Sequence, residues 1–204
     1  LRAKLSPRQI RFPRNPFSRI AVLYKTFAAR AAIIQTFEKN IQGVTVMQKI
    51  TPYLWFDGQA EEAANLYVSL FPNSKITSVT PWGEGSPYRV GTAMTVQFQL
   101  DGQNFVALNG GPQYRFTEAV SFLVSCETQQ EIDRLWNALT ADGGEESMCG
   151  WLKDKYGLSW QIVPPILGEL MSDKDSAKAG RVVQAMLQMK KLDIGKLKQA
   201  YEGK

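Results

Sequence analysis

The chain has 204 residues, 44% apolar and 11% aromatic, enough to bury a substantial core in one domain or two small ones. It contains no histidine, which removes imidazole metal ligands, imidazole general bases and every nucleophile–histidine arrangement. The net charge of +5 is uneven: residues 1–46 hold nine basic side chains against Glu38 alone, a local +8, so the remainder carries −3 and offers no electrostatic footprint for nucleic acid.

Residues 1–46 are Arg-rich and acid-poor, with Pro7, Pro13 and Pro16 early and an amphipathic helical pattern from Ser18 to Lys39. Such a basic leader fits an upstream stretch ahead of a true start at Met47, which is the reading preferred here. An organelle-targeting segment and a native helical extension are the alternatives.

An organised pattern begins after Met47. Ile50 to Phe56 predicts a strand closed by Asp57-Gly58, and Gln59 to Leu70 predicts a helix with Ala60, Ala63, Ala64 and Tyr67 on one face. Phe71-Pro72-Asn73 ends it. Lys75 to Thr80 and Thr92 to Leu100 read as strands joined through the loop Trp82 to Pro87. Asp101-Gly102 is a two-residue hairpin signal, returning as a strand over Gln103 to Leu108.

The same order then recurs about 70 residues later. Ala119 to Cys126 reads as a strand. Thr128 to Thr140 reads as a helix with Thr128 as cap and Glu131 three residues on. A short piece near Glu145 to Met148 follows, and a hairpin over Cys149 to Pro164 completes the unit, turning at Asp154 to Gly157. The fold class expected is α+β: two βαβββ modules, about 48–109 and 118–164, forming a curved mixed sheet with a helical tail over 166–204. Asp175 or Ser176 starts one tail helix and Asp193 caps another.

No apolar run reaches the roughly 20 residues that span a bilayer, so no membrane partner is expected. Cys126 and Cys149 lack both the spacing of a metal knuckle and the density of a disulfide scaffold. Both read as small buried residues in a reducing cytoplasm.

The segments ITPYLWFDGQAEEAANLYVSLFPNS, NGGP (Asn109 to Pro112), FTEAVSFLVSC, QQEIDRLWNAL, WLKDKYGLSWQIVP and AMLQMKKLDIGKLKQAY together resemble the PhnB-like proteins. These are also labelled 3-demethylubiquinone methyltransferase-like and belong to the vicinal oxygen chelate, or glyoxalase/bleomycin-resistance, superfamily. The resemblance covers Met47 to about Gly203. It implies a glyoxalase-like fold, a cleft formed by the two modules and a homodimer. In enzymes of this superfamily four His, Glu or Gln side chains in the cleft hold a divalent metal. By position these places fall here at about Pro52, Ala107 or Asn109, Ser121 and Gln161. Proline and alanine cannot ligate and serine is a poor neutral ligand, so no metal and no cofactor are expected.

Strand alternation puts Ser121, Leu123 and Ser125 on one face, and Gln161 with Val163 on another, opposite Trp160 and Ile162. The ligand-binding cleft is therefore expected at Asn109, Ser121, Leu123, Gln161 and Val163, taking a small organic molecule. Asn109 and Gln161 can equally be satisfying buried backbone groups. No catalytic residue is assigned. Glu118, Glu145, Glu146, Tyr53, Tyr88 and Tyr114 are the nearest acids and phenols, and each reads as a loop or rim residue.

The leading expectation is a cytoplasmic small-molecule-binding protein. The alternatives are an enzyme of this fold, either a methyltransferase or a carboxylate-dependent lyase or isomerase, and an interaction protein using its tail and sheet edges. Gly83-Glu84-Gly85 reads as a hairpin loop rather than a nucleotide-cofactor turn, because another strand follows it.

Overall fold

The computed structural model describes residues 48–204; the leader, the Met47 start and the helix expected over Ser18 to Lys39 lie outside the described residues. The first module runs β1 (Tyr53–Phe56), α1 (Ala60–Leu70), β2 (Lys75–Pro81), β3 (Ala93–Leu100) and β4 (Gln103–Asn109). β1 starts three residues later than its apolar run predicts. Pro52 has no N–H to give a ladder, although its carbonyl accepts from Val106 N at 3.0 Å, and Ile50 is left exposed. α1 buries a stripe of Ala60, Ala63, Ala64 and Tyr67. It stops at Phe71, whose backbone is extended, as the residue before a proline prefers. At the β3–β4 turn Asp101 and Gly102 both have positive φ, the left-handed pair that a tight hairpin requires.

The second module repeats the plan with β5 (Ser121–Ser125), α2 (Gln129–Thr140), β6 (Glu145–Glu146), β7 (Trp151–Lys153) and β8 (Ser159–Val163). Each module makes its own four-stranded sheet, in the orders β1-β4-β3-β2 and β5-β8-β7-β6. In both, the first strand lies parallel to the fourth and the other pairs are antiparallel. Identical connectivity is the structural form of the repeat seen in the sequence. Thr128 Oγ1 caps α2 by accepting from Glu131 N at 3.2 Å, while Glu131 reaches back to Glu127 N at 3.0 Å. The reciprocal contact thus spans one residue more than a standard capping box.

The tail forms α3 (Pro165–Met171), α4 (Ser176–Leu187) and α5 (Ile194–Glu202). Pro165 sits in the first turn of α3, where its missing N–H costs nothing. Asp175 caps α4 through Ala177 N and Lys178 N, and Asp193 caps α5 through Lys196 N. Leu167, Met171, Val182, Met186, Leu192 and Leu197 form a small core that also takes in Val163 of β8.

One continuous core joins the two sheets. Its spine is aromatic: Phe98 stacks on Phe105, Phe105 meets Phe122 edge-on at 5.2 Å, and Phe122 lies against Trp160 at 5.6 Å. Trp160 packs on Tyr67 of α1 at 5.3 Å and on Phe71 at 5.7 Å, so module one's helix is wedged against module two's last strand. Asp154, in the β7–β8 turn and 2% exposed, ties this contact with polar bonds. Its Oδ1 accepts from Tyr156 N and Leu158 N, and its Oδ2 accepts from the Tyr67 hydroxyl at 2.7 Å and Trp160 Nε1 at 2.9 Å. Burial raises the Asp154 carboxyl above its ordinary range despite these four donors.

Candidate functional site

Because side chains alternate along a strand, each sheet that buries one face leaves the other available. In the second sheet Phe122, Val124, Trp160, Ile162 and Leu152 face the core. The ladder Leu123↔Gln161↔Trp151 and the ladder Ser121↔Ser159↔Lys153↔Glu145 occupy the opposite face. Gln161 Nε2 donates to Ser121 Oγ at 2.9 Å, and Leu123 is 50% exposed beside them. Ser121, Leu123 and Gln161 are thus together on one open face.

The other two expected cleft residues lie elsewhere. Asn109 ends β4 on the core side of the first sheet, where its Oδ1 accepts from Ala60 N at 2.9 Å and its Nδ2 donates to the Ala93 carbonyl at 2.8 Å. It satisfies the first backbone N–H of α1 and ties β3 to β4, so both ends of this buried amide already have a protein partner. Val163 keeps the parity of Gln161, but the tail helices cover it and it joins their core. Strand alternation gives the side of the sheet and says nothing of what a later segment packs on it.

Three residues of the open face escaped the sequence reading: Trp151, Lys153 and Ser159. Extending the β8 alternation back by one step and pairing it across the tight Asp154–Gly157 turn would have found them. On the first sheet, Tyr53 and Trp55 of β1 lie on the face away from the core. Trp55 Nε1 donates to the Gly111 carbonyl at 2.8 Å, its ring covers Gly110 with no room for a Cβ, and Tyr114 meets it edge-on at 5.0 Å. Tyr88, the third phenol, is stacked on Trp82 at 4.7 Å.

Two of the acids, Glu118 and Glu146, are held in structural pairs. Lys153 pairs with Glu118 and holds that carboxyl below its usual range. Trp136 Nε1 donates to Glu146 at 2.8 Å and lowers it likewise, with Lys190 beyond. Burial pushes the Cys126 thiol up to about 12 and raises Cys149 as well, so neither is an activated thiolate.

The superfamily's chelate needs converging side-chain donors. Ala107 offers none, the Asn109 amide is committed, and Ser121 and Gln161 are neutral groups bonded to each other. This donor set does not fit a tightly held divalent ion. Among the described residues no three His, Cys, Asp or Glu side chains gather as a metal site would. A groove of about 600 Å³ lies between α4 and α5, lined in part by Ser176, Gly180, Arg181 and Gly203. Arg181 is spent there on the Ala200 and Tyr201 carbonyls at the end of α5.

Comparison with known proteins bears on the same segment. The family model for 3-demethylubiquinone-9 3-methyltransferase matches residues 48–163, more than half of the chain. A PhnB protein from Bacillus cereus, provisionally assigned as a 3-demethylubiquinone-9 3-methyltransferase, is 41% identical over 57% of this chain and 99% of its own, with a TM-score of 0.54. A Staphylococcus aureus protein is 34% identical over 58% of this chain and 97% of its own, with a TM-score of 0.27. A Pseudomonas aeruginosa protein is 23% identical over 55% of this chain and 94% of its own, with a TM-score of 0.46. No curated protein matches. With the duplicated glyoxalase-like architecture and a family model that matches most of both modules, the chain belongs to the 3-demethylubiquinone-9 3-methyltransferase, or PhnB-like, family.

Proposed function

We propose that this chain is a small-molecule-binding protein whose site is the open face of the second sheet, acting without a divalent metal and as a homodimer in the cytoplasm. The observation that carries the reading is the grouping of Ser121, Leu123 and Gln161 beside Trp151 on the face of the second sheet away from the core, where Leu123 stays 50% exposed. Two neutral polar groups among apolar ones can orient an organic ligand, and binding alone needs no acid or base. The dimer belongs to the proposal because the family resemblance implies it. The two cysteines, both free, support a reducing compartment.

Native mass spectrometry of the protein, expressed whole and from Met47, tests this reading, with metal content measured on the same sample. A metal-free dimer carrying a small-molecule mass supports it. One tightly held Zn²⁺, Ni²⁺ or Fe²⁺ per subunit refutes it, as does a monomer at micromolar concentration with no bound mass. The family description favours a second reading, methyl transfer. Gly83-Glu84-Gly85 argues against a cofactor turn there, since it lies in the loop between the antiparallel β2 and β3. Saturable S-adenosylmethionine binding by calorimetry would put that enzymatic reading first.

A further inference from the structure

One ladder on the face of the second sheet away from the core holds an excess of hydrogen-bond donors. Ser121 of β5 is paired with Ser159 of β8, and Ser159 with Lys153 of β7, so the three stand side by side. Ser159 is fully buried, and its hydroxyl has no hydrogen-bond partner. Buried hydroxyls are ordinarily paired, so an orphan marks a place where an acceptor belongs. Ser121 Oγ already accepts from Gln161, which leaves its own O–H to donate. Lys153 brings a cation with three N–H groups, of which Glu118 is the ion-pair partner.

Glu118 comes from the segment that leads into β5, whereas Lys153 is on β7. Their ion pair therefore bridges across β8 at the Ser159 ladder, with the Glu118 carboxylate on Lys153 and the Ser159 hydroxyl left without a partner. The adjoining ladder supplies Leu123 and Trp151, apolar surface on the near side.

We propose that Ser121, Ser159 and Lys153 bind the carboxylate of a small organic acid, whose apolar body lies on Leu123 and Trp151, and that Glu118 holds the anion position until the ligand displaces it. The proposal rests on the reading of this face as a binding site and adds the chemical class of the ligand. Three donors match the two oxygens of a carboxylate, and a charge-assisted contact to Lys153 favours the anion over a neutral isostere. Glu145, the next residue along the ladder on β6, is exposed and adds a second negative charge, so a monoanion fits better than a dianion such as phosphate. Glu118 is displaceable because solvent screens its pair with Lys153.

The test is a titration of the full-length protein with benzoate and with neutral benzamide, followed by backbone amide NMR shifts. Saturable benzoate binding centred on residues 121, 153 and 159 is expected, with benzamide about tenfold weaker or more. Glu118→Gln removes the competing carboxylate and is expected to tighten benzoate about fivefold. Lys153→Met is expected to weaken it about tenfold, with Lys153→Arg restoring most of the loss. Lys155→Met, which breaks a comparable exposed pair with Glu62 off this ladder, leaves the affinity unchanged. Equal affinity for benzoate and benzamide, an unchanged Glu118→Gln variant, or no saturable benzoate binding to either protein overturns the assignment. Those results leave the small-molecule reading to the native mass measurement, so the two claims fail separately.

Discussion

Replacing Asp154 by Asn exchanges one carboxylate oxygen for an amide NH2 at the contact between modules and tests how that contact is held. Asn keeps the Oδ1 acceptor for Tyr156 N and Leu158 N, but sets an NH2 group where Oδ2 accepts from the Tyr67 hydroxyl and Trp160 Nε1. The Tyr67 hydroxyl can turn and accept instead. Trp160 Nε1–H cannot, and Trp160 is only 2% exposed, so one buried donor is stranded. A stranded buried donor costs about 1–3 kcal/mol, and the other bonds lose their charge assistance, partly offset by removing a buried charge. The expected loss is about 2–4 kcal/mol, a fall in melting temperature on the order of 5–15 °C for a chain of this size.

The pH dependence sharpens the test. Burial raises the folded Asp154 pKa, so this carboxyl's contribution to stability is fully present below its unfolded value of about 4 and is lost as pH rises through the folded value. Asn has no such dependence. Urea unfolding of both proteins should therefore give a wild-type advantage that is larger at acid pH and narrows toward neutrality. A gap below about 1 kcal/mol would show that the four donors do not depend on this carboxylate. A gap that widens as pH rises would reverse the sign of the shift and refute the burial argument.

Tyr67→Phe removes one bond to the same carboxylate while keeping the ring against Trp160; a loss of about 1.5–3 kcal/mol by chemical denaturation is expected, with near-native tryptophan fluorescence. Gly110→Ala would drive a methyl into the Trp55 indole, so the ring must leave Gly111 O and Tyr114. A stability loss of about 1–3 kcal/mol and altered Trp emission are expected, and unchanged emission would mean that the ring is not seated there. With both thiols raised by burial, Cys126 should label with a thiol reagent at pH 8 only on unfolding, and Cys149 more slowly than a free thiol. Fast labelling of Cys126 in the native protein would contradict its burial.

Element order was legible because each element carries its own local signal. The alanine stripe of α1, the Asp101-Gly102 turn, the Asp193 cap and the repeat of strand and helix are all short-range patterns that the structure keeps to within a few residues. Where boundaries moved, a local rule explains it, as at Pro52, which cannot donate to the ladder.

The candidate site was only half legible. Parity along β5 and β8 was enough to put Ser121, Leu123 and Gln161 on sheet faces, since alternation follows from backbone geometry alone. Which face stays open depends on segments far away in the chain: the tail covers Val163, and the start of α1 claims Asn109. The sequence by itself determined the two modules, their order and the lack of histidine chemistry. Only the tertiary structure decided that each module keeps its own sheet, that Asp154 joins them through Tyr67, and that Ser159 lies unpaired where Lys153 meets Glu118. Those facts hinge on contacts between residues distant in sequence, and no local propensity encodes such contacts.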